Sequence, residues 1–289
     1  MSHGVKNHPL DDALRARLHL SKTSRFRLTL VRVALHVVDA LSRLMTRKPF
    51  FALQESENLL HQLKGVTGAE LVDKILKRNG GTRIVPHGLS HIPATGPVII
   101  ASTHPTGMFD FVAHAGALLE RRPDLKVVAN VEVEEFLGPD YIVPVKIDKQ
   151  NRAVSGRSTQ TAMQDHLNGG GALLIFGSGR VPKRRNGKLV EPDWRNGTSR
   201  ISESCGVPIV PAALDARNSS YYYRVRALAE RLSGDDNIGA MVGSLRYSSE
   251  LLEKLGGRFD VFYGDPLGPG TSAQELKTRA EALVPGLYA

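Results

Sequence analysis

The chain has 289 residues, a net charge of +9 and 41% hydrophobic residues, enough for one large α/β domain, alone or with a helical appendage. Its one cysteine, Cys205, excludes a disulfide framework and argues against a thiolate zinc site. No apolar run of about 18 residues is present to span a bilayer, and Met1 to Leu10 lack the apolar stretch of a signal peptide.

The elements are read in chain order. Residues 1–50 hold ten Lys/Arg against three acids, so most of the positive excess sits here. Such an end attracts anionic lipid or nucleic acid. Ser24 suits the cap of a helix over 25–46, in which Leu30, Val31, Ala34, Val37, Val38, Leu41, Leu44 and Met45 recur at three and four residues. A basic amphipathic helix of this kind either lies in a bilayer interface or packs on its own domain. Nucleic acid is disfavoured, because the segment has no interleaved aromatics or binding motif. Thr67-Gly-Ala-Glu70 reads as a capping box for a helix ending near Arg78, with Gly80 and Gly81 as its stop. Residues 1–80 are therefore expected to be helical.

From 81 to 289 strands and helices alternate. Expected strands are 82–85, 98–102, 126–129, 142–145, 172–176, 209–211 and 259–263; expected helices are 111–120, 157–167, 198–204 and 272–283. Continuously apolar runs such as Val98-Ile-Ile-Ala101 and Ala172-Leu-Leu-Ile-Phe176 suit strands covered on both faces. The fold class is a layered α/β sheet flanked by helices.

Two motifs carry chemistry. In Ser102-Thr-His-Pro-Thr-Gly-Met-Phe-Asp110 a histidine follows a buried strand, where open α/β sheets place ligands. His104 suits a general base and Asp110 suits its tautomer-fixing carboxylate, the loop at Pro105 and Gly107 folding one towards the other. A structural His–Asp pair is the alternative. In Ile175-Phe-Gly-Ser-Gly-Arg-Val-Pro-Lys-Arg-Arg185, a Gly-rich turn is followed by Arg180, Lys183, Arg184 and Arg185. This suits an anion held by backbone N–H groups and basic side chains, or else a solvated basic loop. It lacks the spacing of a P-loop or a nucleophile elbow. His87 and His91, four apart, have a metal-like spacing only if helical, which Pro86, Gly88 and Pro93 oppose. Glu132, Glu134 and Glu135 suit a helix start or a solvated face. Cys205 suits core filling, and Tyr221 to Tyr223 either packing or an apolar groove.

Taken in order, these pieces resemble the glycerolipid acyltransferase family, which contains the lysophosphatidate acyltransferases. The closer likeness is to its hemolysin-like, lyso-ornithine-lipid acyltransferase branch. His104 and Asp110 are separated by five residues, as in that branch. Ile92-Pro-Ala-Thr-Gly-Pro, Val128-Ala-Asn130, Ile142-Val-Pro-Val145, Phe176 to Val181, Asp193-Trp-Arg-Asn-Gly197, Val207-Pro-Ile-Val-Pro211, Arg217-Asn-Ser219 and Phe262-Tyr-Gly-Asp-Pro266 resemble its further blocks, over roughly 83–268. There are departures. The common Phe-Pro-Glu-Gly-Thr-Arg block reads Phe176-Gly-Ser-Gly-Arg-Val181, with Ser178 at the glutamate position. Arg180 stands where the branch often has glutamate, and Thr103 where asparagine is usual.

The resemblance implies an acyltransferase at the cytoplasmic face of the inner membrane, bound peripherally. It would move a fatty acyl group from acyl-ACP or acyl-CoA to a lyso-phospholipid or lyso-aminolipid. His104 would be the base and Asp110 its support. Phe176, Gly177, Ser178, Gly179, Arg180, Lys183 and Arg217 would hold substrate, with no metal and no cofactor beyond the thioester. A non-glycerol amphiphile as acceptor, or a degenerate lipid-binding module, are the alternatives.

Overall fold

A computed structural model describes residues 25–145 and 156–289. Helices α1 (Arg25–Thr46), α2 (Leu53–Gln62) and α3 (Gly68–Leu76) come first. Strand β1 (Arg83–His87), strand β2 (Val98–Ser102), helix α4 (Met108–Leu118), strand β3 (Lys126–Asn130), a short helix α5 (Glu134–Leu137) and strand β4 (Ile142–Val145) follow. Then come α6 (Gly156–Asn168), β5 (Ala172–Phe176), the hairpin β6 (Lys183–Arg185) and β7 (Lys188–Val190), α7 (Gly197–Cys205) and β8 (Ile209–Leu214). Helices α8 (Ser220–Ser233), α9 (Asp236–Ser244) and α10 (Tyr247–Lys254), strand β9 (Arg258–Tyr263) and helix α11 (Ala273–Ala282) complete the order.

Seven strands form one sheet in the order β1-β9-β8-β2-β5-β3-β4. All neighbours are parallel except β8 and β9. The strands from β8 to β4 therefore end on one edge. Alternation within the buried strand β2 divides the core: Val98 and Ile100 face α3, α4 and α10, while Ile99 and Ala101 face α7 and α11. Leu59, Leu63, Leu71, Val72 and Ile75 of the first helices sit in the same cluster as Val98 and Phe109, so α2 and α3 complete one layer of the α/β/α stack.

Several boundaries differ from expectation. Strand β1 runs on through Pro86 to His87, which an edge strand allows because a missing N–H costs nothing on its open side. Helix α4 begins at Met108 rather than Phe111, so Asp110 lies in its first turn and not in a loop. Thr67 does stand at the N-cap of α3, but its side chain makes no capping bond; it lies against Gly138 instead. Ser24 lies outside the described residues. Helix α2 fits the helical reading of residues 1–80, whereas helices α8, α9 and α10 and the β6–β7 hairpin were not foreseen.

Helix α1 is attached by its polar side. Asp39, buried, accepts Phe51 N–H (2.6 Å) and Leu53 N–H (2.9 Å) at the start of α2. Arg32 pairs with Glu57, and Arg43 with Glu55 at 2.5 Å. Leu30, Val33, Val37, Leu41 and Leu44 are left exposed, Leu44 to 82%.

Candidate active site

The site is built where β2, β5 and β8 end side by side. Backbone bonds tie the three exits together: Thr103 N–H to Ala212 O (3.2 Å) and Gly177 N–H to Ser102 O (3.0 Å). After β2 the chain turns through Pro105 and Thr106 into α4. Gly107 takes φ +92°, and a Cβ there would crowd the Tyr247 ring at 3.2 Å, so glycine is required. Asp110, fully buried, reaches back to the turn before its own helix. It accepts Gly107 N–H (2.9 Å), Thr106 N–H on both oxygens (3.0 and 3.1 Å) and the Thr106 hydroxyl. Donors converging in this way fix the carboxylate in place.

His104 meets this carboxylate. Its Nδ1 lies 2.8 Å from Asp110 Oδ2. The approach is bent, so Nδ1 has no aligned hydrogen bond and the pairing is electrostatic at contact range; apo catalytic bonds often straighten only with substrate bound. The imidazole stacks on Phe176 from the end of β5, with ring centres 4.3 Å apart and planes 26° off parallel, and is 18% exposed. This leaves Nε2 as the nitrogen free for a substrate proton.

Behind the pair is a polar layer that the sequence reading missed. His114, one turn further along α4, bonds Ser102 Oγ at 2.8 Å and Tyr263 OH at 3.2 Å. Burial pushes its pKa down to about 4, opposed by nearby Asp110, so it is neutral. Asn218 donates to Thr106 O (3.2 Å) and accepts Lys254 Nζ (2.8 Å). Burial lowers the Lys254 pKa, although Glu250 and Asp110 oppose the shift. Glu250 accepts Ser219 N–H and Oγ and Arg246. The motif loop is thus held from α10 through the segment after β8. The spacing Glu250-Leu-Leu-Glu-Lys254 was the available signal: it puts both ends on one helical face.

The Gly-rich turn Gly177–Arg180 follows Phe176. A Cβ on Gly177 would fall 2.0 Å from the Trp194 ring, so glycine there serves packing. Gly177 N–H goes to Ser102 O, Gly179 N–H to Phe176 O and Arg180 N–H to Ser178 Oγ. With these three donors engaged, the turn is not an open nest for an anion. Arg180 donates to Asn237 Oδ1 (2.9 Å) and lies 3.9 Å from Asp236. Lys183 turns to Glu230 (3.3 Å) and Asp236 (3.6 Å). Arg217 is exposed after β8, between the buried residues Ala216 and Asn218. So the structure brings His104, Asp110, Phe176 and Ser178 together, while Arg180 and Lys183 point to the α8–α9 hairpin.

Glu191 was also missed. It is buried after β7, with Oε1 2.9 Å from Ser178 Oγ and accepting Trp194 Nε1 (3.3 Å). Burial pushes its pKa up to about 7, with those hydrogen bonds and nearby His104 opposing. No charge pattern around Glu191-Pro-Asp-Trp194 marks it in the sequence.

The remaining candidates are structural. His87 bonds Asp260 (2.6 Å) and His91 bonds Tyr263 O (2.9 Å), so they do not converge. Tyr222 and Tyr223 are buried; Tyr221 contacts Ser42 of α1 at 3.0 Å. Cys205 ends α7, half-buried beside the Ile99 cluster. Glu134 opens α5.

A three-layer α/β fold with a carboxylate-paired histidine at the strand ends, and no Ser or Cys aligned to it among the described residues, is the arrangement of a transferase or a hydrolase. The chain belongs to an acyltransferase family, whose model, described as Acyltransferase, matches residues 38–282. It is an acyltransferase of lipid metabolism. The lyso-glycine lipid O-acyltransferase of Bacteroides thetaiotaomicron is 23% identical over 194 residues, 67% of this chain and 69% of the relative. That of Phocaeicola vulgatus is 22% identical over 196 residues, 67% of each chain. The 1-acyl-sn-glycerophosphate acyltransferase PlsC from Thermotoga maritima aligns at a TM-score of 0.44 and 12% identity, covering 88% of this chain and 95% of its own. Membership leaves the degenerate binding module without support.

Proposed function

We propose that the enzyme transfers a fatty acyl group from a carrier thioester, acyl-ACP or acyl-CoA, to the hydroxyl of a lyso-lipid, with His104 as general base. The observation that carries this is the pairing of His104 Nδ1 with the buried, four-fold-satisfied Asp110 carboxylate, at 2.8 Å. The acceptor O–H gives its proton to Nε2 while its oxygen attacks the thioester carbonyl. The C–S bond then breaks, and the leaving thiolate takes the proton back from the imidazolium. Asp110 holds the ring and stabilises its charged form. The names of the two bacterial relatives favour a lyso-aminolipid as acceptor over a glycerophosphate.

The exposed apolar stripe of α1 supports a peripheral place on the membrane, which we assign to the cytoplasmic face. A helix that turns Asp39 and the Arg32–Glu57 pair inward and six aliphatic side chains outward fits an interface better than water. A cleft of about 310 Å³ lined by Arg184, Arg185 and Arg231, beside Lys183 and Arg226 in their pairs with Glu230 and Asp236, suits the phosphates or acidic surface of the carrier. Arg180, although it is held by Asn237 and lies near Asp236, is the cation we assign to an anionic group on the acceptor.

The test is incubation with labelled acyl thioester and separate lyso-aminolipid and lyso-phospholipid acceptors, with products identified by mass spectrometry. An acylated lyso-aminolipid is expected. Thioester hydrolysis without any acylated lipid would refute the proposal.

A further inference from the structure

Ser178 and Glu191 form a contact whose proton count has a consequence. Ser178 Oγ lies 2.9 Å from Arg180 O and 2.9 Å from Glu191 Oε1, and it accepts Arg180 N–H at 3.2 Å. A hydroxyl has one proton, and a carbonyl can only accept. If Ser178 donates to Arg180 O, closing the turn on itself, the contact to Glu191 needs a proton from the carboxyl. Glu191 Oε2 is buried and has no hydrogen-bond partner. An ionised Glu191 would leave charge on that oxygen unanswered, which is costly in a buried site.

We infer that Glu191 is a positioning residue for the acceptor turn: neutral, it donates a hydrogen bond to Ser178 and so fixes the Gly177–Arg180 backbone beside His104. This rests on the proposal that the turn faces the acceptor. The pKa raised to about 7 agrees with the proton count. The charged and titratable groups around Glu191 are His104 from the motif loop, Lys277 and Glu281 from α11, and Tyr288 from the C-terminal turn. Lys277 is engaged by the backbone oxygen of Glu191 (2.8 Å) and by Asp193 (3.6 Å), so it does not reach the carboxyl as an ion-pair partner. The Tyr288 hydroxyl has no aligned partner.

As pH rises through about 7, Glu191 gives up its proton and the Ser178 hydroxyl turns to donate its hydrogen bond to the carboxylate instead. Arg180 O then loses its donor and the turn loosens. Acceptor KM in the wild type should rise about fivefold towards alkaline pH, the size of one lost hydrogen bond. Glu191→Gln, whose amide donates at every pH, should show a flat KM while the kcat profile set by His104 persists.

A second readout is independent of turnover. Trp194 is the only tryptophan in the chain, and its indole N–H touches the same carboxyl. Its fluorescence should show a step near pH 7 in the wild type and in His104→Ala, and none in Glu191→Gln. A step that survives in Glu191→Gln, or vanishes in His104→Ala, would overturn the inference, as would an acceptor KM in Glu191→Gln with the wild-type pH dependence. If no lyso-lipid is acylated while the Trp194 step behaves as expected, the acceptor proposal fails and the Glu191–Ser178 link stands.

Discussion

Asp110→Asn isolates what the buried carboxylate contributes. Oδ2 faces Gly107 N–H and His104, whereas Oδ1 faces Thr106 N–H and its rotatable hydroxyl. The asparagine should therefore settle with its oxygen towards His104 and its NH2 towards the Thr106 hydroxyl, which can turn to accept. The pairing geometry survives and the charge is lost. A carboxylate about 4 Å from the centre of an imidazolium is worth about 4 kcal/mol at an effective dielectric of about 20. That corresponds to a loss of about 10²–10³ in kcat. Thr106 N–H keeps its 3.0 Å bond to the remaining oxygen and loses only the one at 3.1 Å, so stability should fall by about 1 kcal/mol. Steady-state kinetics over a pH series, with a thermal melt of the same samples, measures both. If Asp110→Asn keeps more than about a tenth of wild-type kcat while folded, the carboxylate does not support the charged imidazole and this reasoning is wrong.

The other expectations concern lipid contact, the turn cation and the buried histidine. Leu41→Ser with Leu44→Ser removes two exposed aliphatic side chains from α1 and should cut binding to anionic vesicles by about tenfold or more, with melting temperature unchanged; unchanged flotation would return α1 to a role in packing alone. Arg180→Ala should raise KM for an anionic acceptor several-fold with little effect on kcat, and identical KM values for charged and neutral acceptors before and after the change would remove Arg180 from headgroup recognition. His114 is depressed to about 4 in the fold from about 6.5 unfolded. The unfolded chain alone takes up that proton between these values, so stability falls as pH drops from about 6.5 to about 4, by up to about 3 kcal/mol. His114→Gln should flatten that limb in pH-dependent melts, and an equal slope in both proteins would show that the proton is taken up elsewhere.

The pairing of His104 with Asp110 was legible because local spacing decides it. Asp110 is three residues into a helix that begins after the His104 turn, and a first-turn acid naturally reaches back to the N–H groups before it. The buried strands were legible from uninterrupted apolar runs. The residues that brace the motif loop and Ser178 were not. Asn218, Lys254 and Glu191 reach the site from 112, 144 and 13 residues away, through contacts that only the sheet order creates. The basic run 180–185 misled for the same reason: its charges look free in sequence, yet Glu230 and Asp236 answer Lys183 in space. Helix α1 was read as amphipathic, but which face it hides depends on Asp39 and the start of α2.

The central claim is that His104 is the base for acyl transfer. The most direct measurement is the initial rate of lyso-lipid acylation from a labelled acyl thioester by wild type and by His104→Ala, with circular dichroism to show that both are folded. General-base catalysis predicts a loss of about 10²–10⁴. A folded His104→Ala enzyme that keeps more than about a tenth of the wild-type rate would contradict the account.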